Sequence, residues 1–175
     1  MSILDFGPVK ATRLNHAIEH ATIHILSGAQ PGVSMAGRSN SRGFIIYGNL
    51  STEAIQQAVQ EAIRRMRAGE TYLAIHPNCG TNLVTTAVLT AGATMLSTAG
   101  RRRQLLDRIP AGIFGALVGV VLGQFLGAAL QQRVTTCADL EEVDVLSVER
   151  KQVGRRVLHS VRLQHRPAAF SRETP

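Results

Sequence analysis

The sequence predicts an α+β fold interrupted by a membrane-embedded helical hairpin, and three observations lead there. Residues 71–100 contain not one charged side chain, and residues 109–130 contain none either. Residues 1–80 combine helical amphipathicity with short strand-like runs separated by turn residues. Residues 143–163 return to stretches in which apolar and polar residues alternate, the period of a half-buried strand. The chain therefore divides into an N-terminal helix/β-hairpin/helix domain (1–80), two transmembrane helices (81–130) joined by an arginine-rich turn (100–108), a short C-terminal β element (131–165) and a flexible tail (166–175).

In the first region, residues 12–27 have the spacing of an amphipathic helix that Gly28 can close. Gln30-Pro31-Gly32 is a turn, and residues 33–38 and 43–47 flank Ser39-Asn40-Ser41-Arg42 as a β-hairpin would. Ser51 offers a hydroxyl cap to a helix that carries Glu53 in its first turn. Arg64, Arg65 and Arg67 complement the dipole of its last turn, and Gly69 stops it. Tyr72–Ile75 is a strand candidate that delivers the chain to His76.

The runs 81–99 and 109–130 each have about the 20 residues that cross a hydrocarbon core of roughly 30 Å. The threonines of the first run can return their hydroxyls to helix carbonyls. The second run carries Gly115, Gly119, Gly123 and Gly127 on one face, where another helix backbone can approach. That stripe suits packing within the hairpin and equally suits a second copy or a membrane-protein partner. The expected location is the cell membrane, as a multi-pass protein in contact with the lipid bilayer. Four arginines in residues 101–108 favour a cytoplasmic turn. The lack of a signal-peptide-like run in residues 1–12 favours cytoplasmic termini instead, so the two arguments point to opposite orientations.

The formal net charge is +7, but its cations are dispersed: seven in residues 1–80, four in the turn and eight in 133–172. No aromatic residues interleave with them, so no specific nucleic-acid partner is expected. Two cysteines, Cys79 and Cys137, are too few for a disulfide scaffold.

Four of the six histidines fall in two stretches. In Asn15-His16-Ala17-Ile18-Glu19-His20-Ala21-Thr22-Ile23-His24, His16 and His20 stand i,i+4 and project from one helical face, which suits two ligands of one tetrahedral zinc. Glu19 lies between them in sequence and could take a proton from a metal-bound water. The second stretch, His76-Pro77-Asn78-Cys79-Gly80, offers an imidazole and a thiol three residues apart, either of which could complete a three-ligand site open to water.

His16-Ala17-Ile18-Glu19-His20 resembles the inverted zincin motif of the inverzincin metallopeptidases. The resemblance implies His16 and His20 as zinc ligands and Glu19 as general base. It covers five residues, and the family's further acidic ligand on a downstream helix has no clear counterpart, although Glu53 and Glu61 lie on one. The order of elements across most of the chain is also similar to an uncharacterised family of small bacterial two-helix membrane proteins.

The expected function is a membrane-tethered zinc-dependent hydrolase, of the peptidase or amidase kind, with Cys79 or His76 as third ligand. Two rivals stand beside it. One is a non-enzymatic membrane structural or assembly protein with at most a structural metal. The other is a metal-free Cys-His hydrolase with Cys79 as nucleophile at a helix N-terminus.

Overall fold

The computed structural model describes residues 3–99, 105–140, 142–154 and 156–166. The chain falls into two compact units. The first comprises residues 1–75 and 134–175, and the second, residues 76–133, is inserted between them.

The first unit is α+β, with helices on one face of a four-stranded antiparallel sheet in the order β1-β2-β4-β3. Helix α1 spans Gly7–Ala29, so it starts earlier than its amphipathic face suggests. Pro8 sits in the first turn, where its missing N–H is no loss, and extends the helix backwards. Strands β1 (Ala36–Asn40) and β2 (Gly43–Tyr47) form the hairpin. Helix α2 spans Thr52–Arg67, and Ser51 caps it by accepting from the Ala54 amide at 3.1 Å. Gly69, at φ 96°, turns the chain out of it. Residues Thr71–Ala74 form a 3-10 turn and not the strand that their composition suggests. Arg65 and Tyr72 both bond Glu70 at that point, which folds the segment back on the end of α2.

Strands β3 (Glu142–Val153) and β4 (Arg156–Arg166) form a second hairpin around Gly154, with a bulge between Val145 and Ser147. They do not stand apart: β4 pairs with β2 from Gly43↔Arg162 to Tyr47↔Leu158. This joins the two ends of the chain in one sheet, a pairing that no local periodicity reports. The core lies between the sheet and the helices. Ile18, Leu26, Phe44, Ile46, Ile55, Val59 and Val161 are its most enclosed apolar side chains.

The second unit is a pair of packed helices, α3 (Gly80–Thr98) and α4 (Leu105–Leu130). A π turn, Gln131–Thr135, continues α4. The glycine stripe of α4 receives α3. A Cβ at Gly119 would lie 2.5 Å from Thr90 Cα and 2.7 Å from the Leu89 carbonyl, and one at Gly123 would lie 2.5 Å from Thr86 Cα. Gly115 and Gly127 are closed in the same way by Ala93, Ser97 and Asn82. Glycine is required there because backbone, which cannot give way, occupies the space a side chain would need.

The polarity of this pair is reversed relative to a water-soluble one. Leu83, Val84, Val88, Met95 and Leu96 of α3 are exposed, as are Phe114, Leu117, Leu122 and Phe125 of α4. Polar groups line the seam instead. Asn82 donates to Pro77 O at 2.7 Å and to Gln124 Oε1 at 2.9 Å. Among the described residues, Asn82 Oδ1 and the Thr86 and Thr90 hydroxyls are buried with no hydrogen-bond partner. The hydroxyls of Thr85, Thr94 and Thr98 return to carbonyls one turn back.

By length and composition, one helix among the described residues is apolar enough to cross a membrane, the stretch Arg108–Thr135. Helix α3 falls short because its threonines and Asn82 dilute it, so composition supports one span where the sequence suggested two. Residues 100–104 of the arginine turn and residues 167–175 of the tail lie outside the described residues.

Candidate metal centre on the first helix

Helix α1 buries an unusual number of polar side chains: Asn15, Glu19, His20 and Thr22 are each at most 4% exposed. Burial at this level requires hydrogen-bond partners, and the sequence supplies them along two lines of the helix.

The first line is His16, His20 and His24, spaced i, i+4, i+8. His16 donates from Nδ1 to the Thr135 carbonyl at 3.0 Å. His20 donates from Nδ1 to the Ala74 carbonyl at 2.7 Å. A carbonyl oxygen only accepts, so in a neutral ring each bond places the proton on Nδ1 and makes Nε2 the lone-pair nitrogen. Metal-binding histidines are commonly oriented by this kind of second bond. His24 bonds the Ile75 carbonyl through Nε2 at 2.9 Å, which puts the lone pair of its neutral ring on Nδ1.

The rings of His16 and His20 stand edge to face, with centroids 4.3 Å apart. Their ligand nitrogens lie within 4.8 Å of each other. Two nitrogens on one tetrahedral zinc are separated by about 3.3 Å, a distance that small ring rotations would reach.

The second line is Asn15 and Glu19, which face β1. The Ser39 hydroxyl donates to Glu19 Oε2. Gly37 makes room for the carboxylate, because a Cβ at that position would overlap Glu19 Oε1. Asn15 donates to the Asn40 carbonyl at 2.7 Å and accepts from His165 Nε2 at 2.6 Å. Spacing alone places Glu19 beside the histidine pair, and the structure adds that its carboxylate is seated against β1.

Arg13 extends the histidine line toward the start of the helix. It donates to the carbonyls of Val134 (2.7 Å) and Thr136 (3.1 Å), and its own carbonyl accepts from the Cys137 amide. Arg13, His16, His20 and His24 thus grip the main chain of residues 74–75 and 134–136, the two stems through which the inserted unit leaves and returns. Nothing in the sequence marks those carbonyls, and for Ser39 and Gly37 the only signal is their place in the hairpin.

In the inserted unit, Cys79 is buried, forms no disulfide and stands at the N-cap of α3. His76 is committed to the same turn: its Nδ1 accepts from the Asn78 amide at 3.2 Å, and its own amide donates to Gln131 Oε1 at 2.9 Å. On α2, Glu61 pairs with Arg64 on the surface and Glu53 is exposed. The acidic residue absent from the zincin pattern therefore still has no buried counterpart there.

Fold and site together define an α+β protein with a histidine-lined first helix and an inserted pair of helices that are apolar outside. The chain belongs to the family described as domain of unknown function DUF6391, which matches residues 11–148. It is also 34% identical, over 155 residues, to an uncharacterised protein of Picosynechococcus sp. (strain ATCC 27264 / PCC 7002 / PR-6). That match covers 78% of this chain and 73% of the relative. No solved structure matches the chain.

Proposed function

We propose that the protein is a membrane-tethered, metal-dependent hydrolase acting on a peptide or amide bond, with zinc as the metal. His16 and His20 are the imidazole ligands and Cys79 the third ligand. The choice of Cys79 over His76 rests on its chemistry: thiolate sulfur is a soft ligand that suits zinc, whereas His76 Nδ1 already accepts from the Asn78 amide. Glu19, oriented by Ser39, is assigned proton transfer. The observation that carries the reading is the His16/His20 pair, two adjacent rings whose Nδ1–H groups are each fixed on a main-chain carbonyl.

Membrane attachment through both inserted helices is part of the same proposal. It is supported by the exposed apolar side chains of α3 and α4 and by the polar residues turned into the seam between them. A hydropathy average counts threonines equally wherever they point, so it underrates a helix whose hydroxyls bond its own backbone.

One observation favours a second, non-enzymatic reading. The same histidines, with Arg13, hold the two stems of the insertion, which a structural metal would also do. A closed four-ligand site would fit that role, whereas three ligands and a water fit the hydrolase.

The test is elemental analysis of the detergent-purified full chain, prepared without affinity-tag histidines. One zinc per chain is expected. It should be lost in His20→Ala and retained in Glu19→Gln, and the latter should no longer cleave chromogenic peptide amides. A metal-free protein that still cleaves them would point to Cys79 as a nucleophile and end the metal reading.

A further inference from the structure

The face of the sheet turned away from the helices has chemistry of its own. In the register of the sheet, Gly43 of β2 stands between Asn40 of β1 and Arg162 of β4. Ser160 stands between Ile45 and Glu149. Beside Gly43 lies a depression of about 320 Å³ lined by Asn40, Arg42, Glu149, Lys151, Ser160 and Arg162. That volume is near the lower end of small-ligand sites, about 300 Å³. The backbone of Gly43 lies at φ 144°, and a Cβ there would overlap the Val161 carbonyl, so glycine is required where β2 meets β4 at the edge of the depression.

The charge around it is unbalanced. Three cations and one carboxylate line the depression, and Glu149 is engaged by Lys151 at 3.3 Å. Among the described residues neither Arg42 nor Arg162 makes an ion pair, although both guanidiniums border the same hollow. Two like charges held together repel unless an anion lies between them. The forked donors of guanidinium match phosphoryl oxygens, and Asn40 and Ser160 add neutral donors beside them.

We infer that this depression binds a phosphoryl anion, with Arg42 and Arg162 as the gripping cations and Lys151, Asn40 and Ser160 as supporting donors. The site is separate from the histidine line and needs no metal. The same chemistry is offered by free phosphate compounds and by the headgroup of an anionic phospholipid.

Two arms separate these sources, both using the full chain. In the first, inorganic phosphate is titrated into the detergent-solubilised protein by calorimetry. In the second, the protein is placed in nanodiscs of phosphatidylglycerol or of phosphatidylcholine alone, and hydrogen exchange is read over residues 40–47 and 156–166. Saturable phosphate binding that weakens about tenfold or more in Arg162→Gln and in Arg42→Gln supports a soluble ligand. Protection in phosphatidylglycerol only, abolished by the same variants, supports a headgroup. Both side chains are exposed, so circular dichroism should show the variants folded. No binding in either arm, or equal binding by the variants, overturns the assignment. So does a single-stranded oligonucleotide that binds far more tightly than phosphate.

Discussion

Replacing Gly119 by alanine tests how the inserted helices are held together. The added Cβ would meet Thr90 Cα at 2.5 Å, Leu89 O at 2.7 Å and Thr90 N at 2.8 Å. All three are backbone atoms, so no rotamer change relieves the clash. Ordinary carbon contacts lie at about 3.5–4.0 Å, so α3 and α4 must part there by roughly 1–1.5 Å. Overpacking of this kind costs about 1–3 kcal/mol, and the same movement also loosens the contacts at Gly115 and Gly123. A loss of about 2 kcal/mol is expected, roughly thirtyfold in the unfolding equilibrium. Gly112→Ala is the control on the same helix, since its Cβ would meet no backbone, only the Thr98 methyl at 3.3 Å and the Thr94 methyl at 3.9 Å. Both variants gain the same helix propensity, so their difference isolates the packing term. The assay is an SDS titration in detergent micelles, read by energy transfer between dyes on cysteines replacing the exposed Leu83 and Phe125, in a Cys79→Ser, Cys137→Ser background. If Gly119→Ala and Gly112→Ala unfold at the same SDS fraction, the close approach of α3 to the glycine stripe is refuted.

Gly37→Ala should displace the Glu19 carboxylate from Ser39, because the new methyl takes the space of Oε1. On the proposed hydrolase reading, the expected signature is a protein that keeps its metal but loses hydrolysis, as in Glu19→Gln, and unchanged turnover would remove Glu19 from that mechanism. At the end of α2, bonds from Arg65 and Tyr72 lower the Glu70 carboxyl to a pKa of about 2. A depressed folded value means the cluster contributes fully above the ordinary glutamate value of 4.5 and is lost as pH falls toward about 2. Carboxyl NMR should place the Glu70 midpoint well below that of Arg65→Gln, and equal midpoints would show that the cluster does not persist in solution.

The elements legible in the sequence were those fixed by local chemistry. Ser51, Glu53 and the terminal arginines delimit α2 within its own residues. The four residues Ser39–Arg42 gave the N-terminal hairpin to within its flanking residues, and the glycines at every fourth position announced a close helix approach. What stayed hidden depends on residues distant in sequence. The turn at Ser39–Arg42 marks β2 as a strand and alternation marks β4, but neither signal names the other strand as its neighbour. Tyr72–Ile75 has the composition of a strand, but the bonds from Arg65 and Tyr72 to Glu70 bend the segment into a turn. At the candidate site, the histidine spacing was readable because i,i+4 is a property of one helix. The carbonyls that orient the rings come from Ala74 and Thr135 and have no signature in the side-chain sequence.

The pairing of β2 with β4 also fixes an order of events during synthesis. When the ribosome has released α1, the first hairpin and α2, β2 still lacks one hydrogen-bonding neighbour, and that neighbour is translated only after both inserted helices. Throughout that interval the nascent first unit has an open strand bearing Phe44 and Ile46, the kind of edge that recruits other chains. Both inserted helices are therefore synthesised while the sheet is unfinished, and only the last strands can close it. A message truncated anywhere before residue 156 would leave a product with its core sheet open, whatever the state of its histidines.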